Sequence, residues 1–115
     1  MEYQNYHLER LEEIAQGDSD FVKEMVGTFI ENVTFDVETI QSLRLTEDWT
    51  AIAEKAHKLA SNFAYLGAEN LRNLAANIEN TVLNENNLFG VAGKTELLCN
   101  ESTDLIVQLK KDFDF

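Results

Sequence analysis

Apolar side chains recur at three- and four-residue steps along most of the chain, the period of helices that each bury one face. A short first helix is expected from about Tyr3 to Gln16, with Leu8, Leu11 and Ile14 on one side. Gly17-Asp18-Ser19 should close it and cap the next, because glycine tolerates the stop and Asp or Ser accepts free N–H groups. Helix two is expected from Ser19 to about Leu43, with Phe21, Met25, Phe29, Val33, Val37 and Ile40 facing inward. Thr46 or Glu47 should open helix three, whose stripe is Trp49, Ile52, Ala56, Leu59, Phe63 and Leu66. Gly67 interrupts that stripe and is expected to begin helix four, with Leu71, Leu74, Ala75, Ile78 and Val82 inward. Asn84 to Asn87 is turn-prone and Gly90 to Gly93 reads as loose. A last helix should run to about Asp112, with Leu97, Leu98, Leu105, Ile106 and Leu109 available for burial. Four long helices with short loops and a short leading helix predict an all-α, antiparallel up-down four-helix bundle.

Composition agrees with this reading. Proline is absent and glycine occurs five times, which favours uninterrupted helices. At 115 residues with 44% apolar content, residues 1–115 are expected to form a single domain with its own core. The net charge of −12 makes nucleic acid and anionic membrane poor partners, and no apolar run is long enough to insert in a membrane. A single cysteine, Cys99, cannot close an internal disulfide and suits a reducing, cytoplasmic setting. It lies in an apolar helical stretch and is expected to be a buried thiol.

Catalytic constellations of the usual kinds are missing. There is no glycine-rich phosphate loop, no histidine pair at metal-ligand spacing and no Glu-x-x-His of the di-iron bundles, so no cofactor and no metal are expected. His7 reads as a surface side chain near the chain start. His57 lies mid-helix beside core residue Ala56, at the border of stripe and solvent. Its neighbours at −4, +3, +4 and +7 are Ala53, Ala60, Ser61 and Ala64, all small. Such a ring could stand free for another protein to approach, or the small residues could simply allow close helix packing; spacing alone leaves both open.

The residues around His57 carry a further pattern. Ala56-His57-Lys58-Leu59-Ala60-Ser61, followed by Leu66-Gly67-Ala68-Glu69-Asn70-Leu71, resembles the signature of the histidine phosphotransfer (HPt) domain family, A-H-x-L-K-G and then a leucine–glycine pair. Gly67 falls ten residues after the histidine, as in the family. Asp48-Trp49 is similar to the usual start of that helix, and Gly17-Asp18-Ser19-Asp20-Phe21 resembles the G-D-x-x-F opening. Two positions depart: Ala60 stands where the family has lysine, and Ser61 where it has glycine. The lost lysine bears on phosphoryl charge, which Lys58 and Lys55 could balance in part.

The resemblance implies a phosphorelay intermediate of two-component signal transduction, with His57 as phospho-acceptor. It implies that Glu79, twenty-two residues on, hydrogen-bonds the ring Nδ1. The residues read without it leave Glu79 equally a surface glutamate. Partners implied are response-regulator receiver domains and a hybrid sensor histidine kinase, with Mg2+ held by the receiver. No ATP-binding core and no autophosphorylation are expected. Two alternatives stand beside this reading: a degenerate module that docks receivers without transfer, and a structural bundle whose histidine is incidental.

Overall fold

The computed structural model describes residues 6–85 and 88–115. Among these the regular elements are all helical: α1 (Glu9–Ala15), α2 (Ser19–Leu45), α3 (Trp49–Tyr65), α4 (Glu69–Asn80), a π-helical turn (Thr81–Glu85) and α5 (Val91–Asp112). Each of α2 to α4 packs on the next, α2 also packs on α5, and α1 lies against α2. The result is a helical bundle around a core that includes Val26, Val33, Ile40, Ile52, Leu59, Phe63, Ile78, Leu98 and Leu109.

Helix boundaries follow caps more closely than periodicity. Asp18 caps α2, its carboxylate accepting from the amides of Asp20 and Phe21 at 3.1 and 3.2 Å. Asp48 caps α3 through the Ala51 amide at 3.2 Å, so this helix opens at Trp49 rather than at Thr46 or Glu47. Those two residues belong to the turn after α2, whose amides bond back to the carbonyls of Leu43 and Arg44. Helix four likewise starts later than Gly67. That glycine sits at φ +63°, and the Ala68 amide returns to the Phe63 carbonyl, closing α3 with the left-handed geometry typical of a helix stop.

The N-terminal expectation needs correction. Residues 3–5 of the expected first helix lie outside the described residues. Tyr6 to Leu8 precede α1, because the His7 amide donates to the Leu66 carbonyl at 2.9 Å and the Tyr6 hydroxyl to Asp112 at 2.7 Å. These long-range bonds hold the segment across the bundle end, and a local helix would break them. Gly93, expected in a loose stretch, lies within α5, which starts directly after Gly90 at φ +81°. Asn84, expected in a turn, continues α4 as the π-helical turn, while Asn86 and Asn87 lie outside the described residues.

The inward stripe of α2 is also displaced in its first half. Val22, Val26 and Ile30 are buried, whereas Phe21 is exposed and Met25 and Phe29 are half-buried. The two stripes run side by side with the same period, so spacing could not choose between them. The aliphatic one fills the core, and the aromatic one forms its border. Ile14 and Leu97 are exposed, and Trp49 and Leu74 only half-buried, on the same border positions of their helices. On α5 the core also takes Thr95 and Ser102. Thr95 satisfies its hydroxyl on the Val91 carbonyl at 2.8 Å. Cys99 is buried as expected, and that burial pushes its thiol up, away from the reactive thiolate.

Candidate functional site

Helix α3 presents His57 outward one position past buried Ala56, and α4, packed alongside, brings Glu79 to its ring. The side chain of His57 is 67% exposed and that of Glu79 28%. Nδ1 of the imidazole lies 2.9 Å from Oε2 and 3.1 Å from Oε1 of Glu79, so one nitrogen meets both carboxylate oxygens. In the neutral tautomer with the proton on Nδ1, that contact is a hydrogen bond donated to a carboxylate oxygen. The Nε2 lone pair then points to the other side of the ring, and that side faces solvent. One side chain on α4 thus orients the imidazole carried by α3, an arrangement that neither helix offers alone.

The low relief expected around His57 is present in part. Ser61 is exposed, and Ala60 and Ala64 are half-buried, which leaves short side chains along the next two turns. Ala53, expected in the same row, is fully buried and belongs to the core beneath it. Ser61 Oγ lies 3.5 Å from the His57 carbonyl, at the outer edge of hydrogen bonding.

Lys55 is engaged on α2. Lys55 Nζ sits 3.9 Å from Oδ1 of Asp36 on α2 and 5.8 Å from the centre of the Phe35 ring. Lys58 is exposed, and its charge also acts on Asp36. Asp36 is itself buried, and desolvation pushes its carboxyl up against the pull of both lysines. This acid carried no signal in the sequence, since an aspartate on the α3-facing side of a helix has the same spacing as a surface one. Gly67 lies at the α3–α4 turn, roughly 15 Å along the helix from His57. It packs against the backbone of His7, so its part is to seat the N-terminal segment. His7 itself is exposed.

An apolar border runs beside this face. Phe29 stacks on Tyr65 with ring centres 5.7 Å apart, and the Arg10 guanidinium lies 4.2 Å over the Tyr65 ring. The stack ties α1, α2 and α3 together two helical turns from His57, with Ile14, Phe21 and Met25 exposed or half-exposed on the α1 and α2 helices. Spacing had missed Arg10 and Tyr65, whose pairing is a tertiary contact. Among the described residues no cluster of three or more His, Cys, Asp or Glu could hold a metal ion, and no helix is long and apolar enough to cross a membrane.

Comparison with known proteins adds one finding. The family model described as Hpt domain matches residues 24–112, more than half of the chain and including α3, α4, α5 and most of α2. No curated protein and no solved structure matches.

Proposed function

The chain belongs to the Hpt domain family, whose role is phosphotransfer in two-component signalling, and on that premise we propose that His57 is its phosphoryl carrier. In this reading Nε2 of His57 attacks the phosphorus of an aspartyl phosphate on a receiver domain, in line, and later returns the group to the aspartate of a second receiver. The observation that carries it is the Nδ1 contact with Glu79 at 2.9 Å beneath an exposed ring. That contact supports a fixed tautomer and stabilises the positive charge that develops as the N–P bond forms. The receiver supplies Mg2+ and most of the remaining charge stabilisation, so this chain needs no cofactor of its own. Partners are response-regulator receiver domains and a hybrid sensor histidine kinase in the cytoplasm, docking on the border formed by Ile14, Phe21, Met25 and the Phe29–Tyr65–Arg10 stack. The expected architecture, an antiparallel up-down four-helix bundle with α1 added, is supported by the packing of consecutive helices across short turns.

A second reading has two observations in its favour: Ala60 and Ser61 replace the lysine and glycine of the family pattern, and Lys55 is paired with Asp36. It makes the chain a receiver-docking module without transfer. Incubation with a phosphorylated receiver separates the two. Transfer predicts acid-labile label on the wild type and none on His57→Gln. Docking alone predicts receiver binding that survives His57→Ala, with no label on either protein.

A further inference from the structure

Four side chains share the helix face of His57, at i−3, i+3, i+4 and i+7: Glu54, Ala60, Ser61 and Ala64. Of these, only Ser61 carries a hydrogen-bond donor. Its Cβ lies one turn on, about 6 Å from that of His57, and helical side chains tilt toward the N-terminus, so the hydroxyl leans back over the histidine turn. Its contact with the His57 carbonyl, at 3.5 Å, is at the limit of a hydrogen bond, and little is lost when the hydroxyl swings to another staggered rotamer. The side chain is exposed, so no packing opposes that rotation. Of the neighbouring lysines, Lys55 is paired with Asp36 on the α2 side.

We propose that the Ser61 hydroxyl donates a hydrogen bond to a phosphoryl oxygen on His57, in the place of the ammonium that Ala60 cannot supply. The inference rests on the phosphotransfer reading of His57. In the forward step the Nε2 lone pair forms the N–P bond while the P–O bond to the receiver aspartate breaks, and that electron pair leaves with the aspartate carboxylate. The Nδ1 proton stays between the ring and Glu79. In the return step an aspartate oxygen forms the new P–O bond and the N–P pair goes back to Nε2. Ser61 exchanges no proton in either direction; it holds one equatorial oxygen. Because the phosphoryl oxygens carry charge and the hydroxyl does not, the bond favours the phosphohistidine over the free ring without raising the charge of the face.

The test loads the full chain with phosphoramidate, a small donor whose own N–P bond breaks with departure of ammonia, and so needs no receiver. The lifetime of phospho-His57 and its 31P resonance are then compared in wild type, Ser61→Ala and Ser61→Thr. Loss of one hydrogen bond to a charged group should shorten the lifetime in Ser61→Ala by about tenfold and move the resonance. Ser61→Thr, which keeps the hydroxyl, should restore both, with thermal midpoints equal across the three. Equal lifetimes and resonances in wild type and Ser61→Ala would overturn the role of Ser61 while leaving His57 as carrier. A wild type that takes up no phosphoryl from phosphoramidate or from a phosphorylated receiver would overturn the carrier reading, and this inference with it.

Discussion

Gly67→Ala should cost this bundle more than a glycine replacement at any ordinary helix stop. Gly67 holds φ +63°, a conformation that L side chains enter at a cost of about 1 kcal/mol. An added Cβ would also press on the His7 backbone, meeting its carbonyl oxygen and, at 2.8 Å, its amide nitrogen and Cβ. Nothing there is the flexible end of a side chain, so the N-terminal segment must move away. Moving it breaks the His7 amide bond to the Leu66 carbonyl and loosens the Tyr6–Asp112 bond, at about 1 kcal/mol each. The total is about 3 kcal/mol, or a fall in thermal midpoint of about 12 °C for a domain of this size. Gly17→Ala provides the control: Gly17 has φ +84° with nothing within 4 Å, so only the backbone strain applies. Its midpoint should fall by about 4 °C. Amide exchange supplies an independent readout, with His7 protected in wild type and in Gly17→Ala but not in Gly67→Ala. Equal losses at the two glycines, with His7 still protected, would refute the close-approach argument.

Three further outcomes follow from other contacts. Burial and the Asp112 bond push the Tyr6 phenol up to about 12 from an ordinary 10, so its stabilisation is complete below pH 10 and disappears as pH rises through about 12. A tyrosinate absorbance titration, with Tyr6→Phe to assign the late step, checks this; a Tyr6 step near pH 10 in the folded protein would contradict it. Desolvation raises the folded-state Asp36 carboxyl above its unfolded 3.8, so the associated stability is present below pH 3.8 and is lost as pH rises through the folded value. Asp36→Asn should therefore gain stability relative to wild type between pH 4 and pH 7 in thermal melts, and a relative loss over that interval would mean that the Lys55 pair outweighs desolvation. Glu79→Ala should release Nδ1 and let the His57 tautomers mix, visible in the ring 15N shifts, with phosphoryl uptake slowed about tenfold by loss of a charge-assisted bond. Unchanged shifts and unchanged uptake would remove Glu79 from the site.

Much of the bundle could be read from periodicity, because the long stripes of α3 and α4 have single apolar faces. The stripe of α3 from Ile52 to Leu66 is buried throughout. Periodicity failed where two stripes run in parallel, as in α2, and where a non-local bond outranks a local helix, as at Tyr6 to Leu8. It also ran past helix ends that Asp48 and Gly67 define by backbone geometry. At the site, spacing drew attention to His57 and its small neighbours, but it misplaced Ala53, which the core takes. Partners on other helices were beyond spacing altogether: Asp36 with Lys55, and Arg10 on Tyr65, are pairs that only packing creates. Glu79 came from the family pattern, since twenty-two residues separate it from His57 and no helical period links them.

The central claim is that the exposed Nε2 of His57 carries the phosphoryl group. The most direct measurement is the mass and 31P spectrum of the full chain after exposure to a phosphorylated receiver domain, for wild type and His57→Gln. Wild type should carry one acid-labile phosphoryl group, with the phosphorus bonded to Nε2 of His57, and the variant none. Phosphate on both proteins, or on neither while the receiver stays bound, would contradict the claim.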